Sequence, residues 1–431
     1  MTIERVILAG FKSFAERTEV ALRPLTILAG ANGAGKSTLM HALLLLKQTL
    51  ESDYDAGPLR IDGPHVAFSQ VEQMLWAGPP QRAAQFTLGF HLSSRHGYEA
   101  TFRQGEGGVP PLEIAQATYV YRDQRAALSL EPSQEQFAAY LRLLGSLGVV
   151  LPNGQDLDFS SVVQRQGFFL FVPLLIRSLD SEQADGLSLF HPPISPDVER
   201  DVRGIIHLPG LRGNPRRTYP AAAVGSSFRG PFTHYVAGVI AEWQRRQDGR
   251  LDRLSEDLKA LGLTSRVRAH QVSDVALALR VGRTANAQGD DTVDIADAGL
   301  GLSQALPVLV ALLVAEPGQL VLVEHPELHL HPRAVRALAG PIQRAVQRGV
   351  WVMLETHSDL LLISLQELVA RGVLPPEHVQ LHWAQRDERG ASMLHSTTLD
   401  ANGDWGEDVP VDFEDIRLNA VSSYLKATFK M

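Results

Sequence analysis

Cysteine is missing from this chain of 431 residues, which excludes disulfide bonds and thiolate metal sites. Long apolar runs are missing too. The longest, residues 305–315, spans eleven residues and contains Pro307, whereas a membrane helix needs about twenty. The first residues show no basic segment followed by a long apolar one, which is the pattern of an export signal. We therefore expect a soluble, cytoplasmic protein without a membrane partner.

Positive charge is also scarce. The formal net charge is -8 at pH 7, which argues against a generally basic surface that coats nucleic acid. Arginines do cluster within residues 212–217 and 245–253, but most clusters of this kind are solvated faces. Contact with DNA therefore stays an open alternative that nothing in the sequence requires.

A segment near the N-terminus, residues 30–38, has the complete phosphate-binding pattern G-x-x-x-x-G-K-[ST]. It follows an apolar run (residues 25–29) and precedes a helical one (residues 41–46), which is the strand–loop–helix context that the motif requires. The glycines let backbone N–H groups turn toward phosphate oxygens. Lys36 would reach the β- and γ-phosphates of ATP or GTP, and the Ser37 hydroxyl would bind Mg²⁺. The predicted nucleotide-binding residues of this loop are Gly30, Asn32, Gly33, Ala34, Gly35, Lys36, Ser37 and Thr38.

A carboxylate ends a second buried-strand pattern, residues 319–324. In a nucleotide-binding sheet an acid at such a strand end lies close to the phosphate-binding loop, where Glu324 would hold Mg²⁺ directly or through water. A further strand, residues 350–354, leads into the segment 355–358. Upstream, residues 297–304 open a helix with a serine and glycines, which makes an anion-binding helix end.

These four elements, in this order, resemble the ABC-type ATPase heads of the RecF/SMC/OLD superfamily. More narrowly, they are similar to the compact bacterial AAA-family ATPases that lack a long coiled coil. The match is strong over residues 1–50 and 290–365, and thin over residues 105–200. The segments that carry it are the opening phrase 10–14, the phrase 207–212, the variant signature motif 299–307, the extended Walker B motif 324–332 and the switch-histidine phrase 355–358.

The resemblance implies that ATP is sandwiched between two heads, so that the chain forms a nucleotide-dependent homodimer. Lys36 and Ser37 would bind ATP and Mg²⁺ in one subunit. Ser303 and its helix N-terminus would face the γ-phosphate from the other subunit. His357 would contact the γ-phosphate and report its presence. Preorganised dipoles of this kind supply most of phosphoryl-transfer catalysis.

The Walker B segment departs from the family pattern at one position. The usual motif ends in two acids, the second of which positions the attacking water, but here His325 follows Glu324. Neutral imidazole accepts a proton near pH 7, whereas the protonated ring does not. Either His325 or Glu327 takes the role, or hydrolysis is slow, and we expect slow hydrolysis. The predicted catalytic residues are Lys36, Glu324, His325 and His357.

Several other side chains are candidates for a role in metal binding or at the nucleotide site. His325, His329 and His331 are close in sequence, but structural roles are favoured over a metal site because no catalytic-zinc spacing completes the set. Arg212 either reaches the site or is an ordinary surface arginine. The second interpretation is favoured. Gln70 and Gln73 both remain candidates for sensing Mg²⁺.

The predicted fold is α/β, an ABC-ATPase-like P-loop head with a mixed or parallel sheet, an antiparallel β subdomain and an inserted, mainly helical subdomain. Strands alternating with helices from 271 to 394 predict the parallel part. Residues 413–429 predict a closing helix. The expected units are an N-terminal lobe with the phosphate-binding loop and a β-meander (1–131), the insertion (132–200), a C-terminal lobe with the signature, Walker B motif and switch histidine (201–390), and an extension (391–431).

The function that follows is a weak ATPase that uses Mg²⁺, dimerises on ATP and regulates a separate effector protein, in anti-phage defence or DNA maintenance. An alternative is a nucleotide-bound scaffold that rarely hydrolyses ATP. The ATPase subunit of a transporter is disfavoured, because Gly-Leu-Ser-Gln replaces the L-S-G-G-Q signature and lies far from the phosphate-binding loop.

Overall fold

The computed structural model describes residues 2–406, apart from 94, 106–110, 148–162, 173–174, 177–187, 190–194, 222–224, 226 and 288–290. The closing helix predicted for residues 413–429 lies outside this part of the chain. Among the described residues, no helix combines the length and the apolar character needed to cross a bilayer.

The described chain contains both strands and helices, with runs of consecutive strands between residues 85–128 and 164–189. The strands are β1 (Ile3–Ala9), β2 (Thr18–Ala21), β3 (Leu25–Gly30), β4 (Gln85–Leu92), β5 (His96–Gln104), β6 (Leu112–Tyr121), β7 (Gln124–Leu128), β8 (Gln164–Gln166), β9 (Phe169–Phe171), β10 (Leu175–Ile176), β11 (Ser188–Leu189), β12 (Ile206–Leu208), β13 (Tyr219–Pro220), β14 (Val267–Ser273), β15 (Ala276–Gly282), β16 (Thr292–Asp294), β17 (Leu320–Glu324), β18 (Trp351–Glu355), β19 (Val379–Arg386) and β20 (Ser392–Thr397). The helices are α1 (Lys36–Leu50), α2 (Gln134–Ser146), α3 (Ser195–Arg203), α4 (Val236–Arg246), α5 (Arg250–Ala260), α6 (Leu300–Val314), α7 (Pro332–Gln347) and α8 (Asp359–Ala370).

One mixed sheet positions the predicted site. Its strand order is β12-β17-β18-β3-β19-β20, and all neighbours are parallel except β19 and β20. Glu324 at the end of β17 is paired in register with Glu355 at the end of β18. Because parallel strands end at the same edge of a sheet, both acids lie at the edge where β3 enters the phosphate-binding loop. Apolar residues of α6, α7 and α8 share one core with these strands.

A second sheet, with the order β2-β1-β4-β5-β6-β7, is antiparallel throughout. It contains the predicted β-meander. Helix α1 is buried on nearly every face, because its apolar residues share a core with this sheet and with Leu28, Leu322 and Met353 of the mixed sheet. The α/β fold with a mixed sheet and an antiparallel β subdomain is therefore confirmed.

The prediction of alternating strands and helices from residue 271 onward is wrong for its first part. Strands β13, β14, β15 and β16 form a separate antiparallel sheet. Only two residues, Asp274 and Val275, connect β14 to β15, and a connection of that length permits antiparallel pairing alone. Within the predicted insertion, the described residues contain the short strands β8 to β11 as well as helices α2 and α3.

An ion pair joins Arg17, which precedes the edge strand β2, to the buried carboxylate of Glu99 on β5. Arg17 donates to both oxygens of Glu99, at 2.6 and 3.0 Å. Burial alone would raise the pKa of Glu99, but His91 and Arg17 hold that pKa at about 2. An acid with a lowered pKa stabilises the fold above its unfolded value, near 4.3, and loses this contribution as the pH falls toward 2.

We therefore expect Glu99→Gln to lower the free energy of unfolding by about 2 kcal/mol at pH 7. The difference from the native chain should shrink as the pH falls from 5 to 3, measured by urea unfolding at each pH. A difference that stays constant over this range would contradict the assignment.

Candidate nucleotide-binding site

The phosphate-binding loop joins the last residue of β3 to the first residue of α1. Gly30 and Gly35 have φ values of 128° and 102°, which L side chains rarely adopt. A Cβ atom on Gly30 would lie 2.1 Å from the carbonyl oxygen of Ala384, and one on Gly35 would lie 2.2 Å from the Ser392 hydroxyl. Both glycines are therefore required by the close approach of β19 and β20. No side chain among the described residues caps α1, so its first turn is open to an anion.

Lys36 and Ser37 converge on an acid that the sequence did not single out. The Lys36 ammonium donates to the carbonyls of Gly30 (3.1 Å) and Ala31 (2.8 Å), and lies 3.9 Å from Glu355. The Ser37 hydroxyl donates to Glu355 at 2.7 Å. Burial lowers the pKa of Lys36, and the carboxylate of Glu355 opposes that shift. The predicted phosphate and magnesium ligands thus lie together at this strand end.

A cavity of about 600 Å³ opens beside this loop, a size that suits a nucleotide. Three cations line it, namely Lys12, Lys36 and Arg386. Arg386 also donates to the carbonyl of Gly33 at 2.8 Å and so holds the loop. Gln73 lines the same cavity. Two acids, Glu72 and Glu355, also line the cavity, so the lining carries a small excess of positive charge, which favours an anionic ligand.

The two candidate glutamines have different surroundings. The carbonyl oxygen of the Gln73 side chain accepts from the backbone N–H groups of Ser69 (2.9 Å) and Gln70 (3.3 Å). Gln70 precedes the short 3₁₀ turn Val71–Gln73 and contacts Gln73 through its backbone N–H. Because Gln73 borders the cavity, it is the better placed of the two to sense Mg²⁺.

Glu324, the predicted magnesium ligand, forms hydrogen bonds with β12 and with the residues that follow this strand. One oxygen contacts Nε2 of His207 at 3.1 Å, and the other accepts from the backbone N–H of Gly210 at 3.0 Å. Burial would raise the pKa of Glu324, but His207 and Gly210 hold it below its usual range. Glu324 is therefore an ionised acid, and it is paired with Glu355 across the neighbouring strands β17 and β18.

A buried polar chain continues behind Glu324. His207 contacts His65 through their Nδ1 atoms at 2.9 Å, and Nε2 of His65 lies 3.3 Å from Glu51. Lys47 in turn donates to Glu51. Burial lowers the pKa of His65 to about 4, so this ring is neutral at physiological pH. The chain of hydrogen bonds ties the Walker B strand to the C-terminal end of α1.

Glu355 is the functional candidate that sequence analysis missed. It is 3% exposed, and burial raises its pKa while Ser37, His325 and Lys36 oppose that shift. A signal for it existed, because Glu355 ends a buried strand just before the switch-histidine phrase. The argument that selected Glu324 from a strand end applies equally to this residue.

His325 has an unusual backbone that sets the position of its ring. Its φ is 46°, a left-handed conformation in which histidine is enriched, and its N–H donates to the carbonyl of Glu355 at 2.8 Å. The ring stacks on His357, with centroids 5.3 Å apart and planes at 12°. The carboxylate of Glu327 raises the pKa of His325, and Glu355 and Glu324 add to that shift.

His357 and Glu327 complete this cluster. The backbone N–H of His357 donates to Oε1 of Glu327 at 3.1 Å. Burial lowers the pKa of His357, and the charges of Lys36 and His325 lower it further. His357 is exposed, so its ring is accessible beside the phosphate-binding loop. Glu327, which the sequence leaves open as the water-positioning acid, lies against both histidines, because its Oε1 is also 3.9 Å from Nδ1 of His325.

The interpretation of Arg212 as an ordinary surface arginine is wrong. Its guanidinium donates to the carbonyls of Glu324 (2.6 Å) and His325 (3.2 Å). Among the described residues, its buried Nε and Nη1 atoms have no hydrogen-bond partner. Burial lowers the pKa of Arg212 to about 10, which still leaves the side chain charged at neutral pH. Arg212 therefore holds the backbone of the Walker B segment.

The signature helix α6 begins at the surface. Its N-cap is Gly299, and Leu300 is 39% exposed. The Ser303 hydroxyl is turned inward, because it donates to the carbonyl of Leu300 at 2.8 Å. Farther along, His329 and His331 are exposed, and His331 caps α7 by accepting from the N–H of Arg333 at 3.3 Å.

Two family models match the chain. The model of an AAA ATPase domain matches residues 1–83, and the model described as AAA domain, putative AbiEii toxin, Type IV TA system matches residues 218–364. The first match contains the phosphate-binding loop, and the second contains the signature, Walker B and switch-histidine segments. No curated protein matches the chain.

Several solved structures have a similar shape. One is the SmcHead bound to the C-winged helix domain of ScpA, with 13% identity, 93% of this chain and 98% of that chain covered, and a TM-score of 0.48. Another is the SMC head domain from Thermotoga maritima, with 12% identity, 91% and 98% coverage and a TM-score of 0.40. A third is the Smc head domain with an extended coiled coil bound to the C-terminal domain of ScpA derived from Pyrococcus furiosus, with 12% identity, 92% and 96% coverage and a TM-score of 0.42. At such values the likeness carries no argument about activity or partners.

Proposed function

We propose that this chain, which models of AAA ATPase domains match over residues 1–83 and 218–364, binds ATP with Mg²⁺, hydrolyses ATP slowly and dimerises in the ATP-bound state. The observation that carries the proposal is the convergence of Lys36 and Ser37 on Glu355 in a cavity of about 600 Å³. A loop of this kind, a lysine, a hydroxyl and acids at two adjacent strand ends are the parts that phosphoryl transfer needs.

The donor atoms at the strand ends fit Mg²⁺. The Ser37 hydroxyl, Glu355 and Glu324 supply the oxygen ligands that this hard cation prefers, directly or through water. The contact of 2.7 Å between Ser37 and Glu355 shows that two of these donors already lie together. When bound, the ion would neutralise charge on the β- and γ-phosphates.

The remaining groups bind and orient the triphosphate. Lys36 exchanges its two carbonyl partners for phosphate oxygens, which are stronger acceptors because they are charged. The first-turn amides of α1 and the cations Lys12 and Arg386 add positive potential along the cavity. His357 extends from the adjacent strand end, where its ring is accessible to a γ-phosphate.

Slow hydrolysis follows from the residue that takes the place of the second Walker B acid. The carboxylate of Glu327 raises the pKa of His325, which favours the protonated ring, and a protonated ring accepts no proton from the attacking water. This observation also favours a second candidate function, a scaffold that holds ATP without hydrolysing it.

Phosphate release under single-turnover conditions tests the proposal against the scaffold. A slow ATPase releases phosphate measurably faster than the variant Lys36→Ala. A scaffold releases it at the same negligible rate as that variant, and this outcome would leave ATP binding in place while removing hydrolysis from the proposal.

Dimerisation is supported by the exposed start of α6. Because the Ser303 hydroxyl is bonded within its own helix, the backbone amides around Gly299 are the groups we assign to the γ-phosphate of the partner subunit. Leu300 lies beside these amides at the surface. An acidic residue there would repel the triphosphate without disturbing the core.

We expect Leu300→Asp to reduce the ATP-dependent dimer by about tenfold or more in association constant, because it opposes a negative ligand at a helix N-terminus. The matched control is Val373→Asp, at a residue with a similar exposure of 40%. Sedimentation velocity with ATP or ADP gives the dimer fraction. Equal dimer fractions for both variants, or a dimer independent of ATP, would contradict this geometry.

We further propose that the dimer regulates a separate effector protein. DNA is less favoured as the direct ligand, because the arginines of residues 245–253 are engaged with acidic side chains. Arg217 is likewise paired with Asp297. A role in anti-phage defence or DNA maintenance would then be carried out through that effector.

A further inference from the structure

Two imidazole rings and a carboxylate meet at the end of the mixed sheet. One ligand atom each from His325, Glu355 and His357 can be chosen so that all three lie within 4.8 Å of one another. The residues come from two different segments, since His325 follows β17 whereas Glu355 ends β18 and His357 follows it. Among the described residues, no other group of three such side chains has this spacing.

We propose that His325, Glu355 and His357 form a binding site for a divalent transition-metal ion such as Zn²⁺ or Co²⁺. This ion is distinct from the Mg²⁺ that accompanies ATP, and the site goes beyond the proposed function because it requires no nucleotide. Two histidines and one carboxylate are a ligand set of known catalytic and structural metal centres.

The distances need only a small adjustment. Nε2 of His325 lies 3.9 Å from Oε1 of Glu355. Ligand atoms that share one zinc ion at about 2.0–2.2 Å lie roughly 3–3.5 Å apart. All three ligand atoms lie within 4.8 Å of one another, so side-chain rotations that shorten their separations by up to about 1.8 Å would close the site. The two imidazole rings already stack on each other, with their planes at 12°.

Glu327 supports both histidines from outside the group. Its Oε1 lies 3.9 Å from Nδ1 of His325, the ring nitrogen that does not face Glu355. The same oxygen accepts from the backbone N–H of His357 at 3.1 Å. A carboxylate behind a histidine orients the ring of a metal ligand and strengthens it as a donor. Glu327 thus lies where a small rotation would give it this role for the ring of His325, whereas it contacts His357 only through the backbone.

The chemistry of the donors selects the ion. Imidazole nitrogen suits Zn²⁺, Co²⁺ and Ni²⁺, whereas Mg²⁺ prefers oxygen ligands. Oε2 of Glu355 bonds Ser37 while its Oε1 faces His325, so one carboxylate borders both cation positions. His325 is partly exposed and His357 is exposed, so an ion and its water ligands have access from solvent.

Metal binding to the untagged, metal-free full chain tests this site without nucleotide. Equilibrium dialysis with Zn²⁺ gives the stoichiometry, and the visible absorption of bound Co²⁺ reports nitrogen ligation. We expect about one ion per chain in the native protein. The variants His325→Gly and His357→Ala should each weaken binding by more than about tenfold, and glycine retains the left-handed backbone of residue 325.

The matched control is His331→Asn. His331 belongs to the same segment, is exposed and lies outside the group, and asparagine preserves its cap on α7. Circular dichroism shows whether each variant is folded. Unchanged binding in both ligand variants, or an equal loss in His331→Asn, would overturn the proposal.

The result is separable from that of the ATPase proposal. ATP binding is measured on the native chain with Mg²⁺ alone, and zinc binding is measured without ATP. A chain that binds ATP but no Zn²⁺ would overturn only the metal site. A chain that binds Zn²⁺ but no ATP would overturn only the proposed function.

Discussion

Replacing Lys36 by alanine is expected to lower the affinity for ATP by about 100-fold, close to 3 kcal/mol. The ammonium is 4% exposed and already donates two hydrogen bonds to loop carbonyls. It is therefore preorganised at the position where the β- and γ-phosphates lie in a loop of this pattern. Its removal deletes a charge-assisted contact that no neighbour replaces at the same point.

The affinity is measured by calorimetry and by the shift of the thermal unfolding midpoint with ATP. A ligand that binds only the folded state stabilises it by an amount that grows with the logarithm of its affinity. The control is Lys259→Ala, which removes an exposed lysine at the end of α5. If Lys36→Ala kept the affinity of this control, nucleotide binding at the loop would be disproved.

The loop was predictable because its information is local. Residues 30–38 contain the glycines, the lysine and the hydroxyl in consecutive positions, and the flanking strand and helix follow from apolar patterns. The structure adds the reason for Gly30 and Gly35, which is the approach of β19 and β20. That reason could not be read from the sequence, because residues 384 and 392 are far away along the chain.

Contacts across the sheet were less predictable, because they join residues that are far apart along the chain. Strand β18 lies between β3 and β17, so Glu355, not Glu324, meets Ser37. The partners His207 and Arg212 reach Glu324 from the other side, through β12 and the residues that follow it. A motif identifies a strand-end acid, but the order of the strands decides which acid contacts the loop.

The left-handed backbone at His325 is a further feature that could not be predicted from the sequence pattern. The departure from two acids was visible in the sequence, but the stacking of His325 on His357 depends on the turn after β17 and on its bond to Glu355. The antiparallel sheet of β13 to β16 was not predicted, because the parallel interpretation overlooked the two-residue connection between β14 and β15.

Glu355→Gln is expected to reduce single-turnover phosphate release by about 100-fold while ATP affinity changes by less than about threefold. The amide keeps the size of the side chain and a hydrogen bond with Ser37, so the loop retains its shape. It removes the negative charge that lies 3.9 Å from Lys36 and 3.9 Å from His325. Loss of rate with retained binding is the signature of a group that acts in the transition state.

Two further variants serve as a control and as a comparison for Glu355→Gln. Glu316→Gln, at an exposed residue that precedes β17 at the opposite end of the strand, should match the native chain in rate. Glu324→Gln should instead mainly raise the Mg²⁺ concentration needed for half-maximal release, because we assign that carboxylate to the cation alone, whereas we assign Glu355 both to the cation and to the attacking water. If Glu324→Gln lost rate at saturating Mg²⁺ and Glu355→Gln did not, the acid that positions water would lie on β17. Glu355 at the end of β18 would then contribute only to the shape of the phosphate-binding loop.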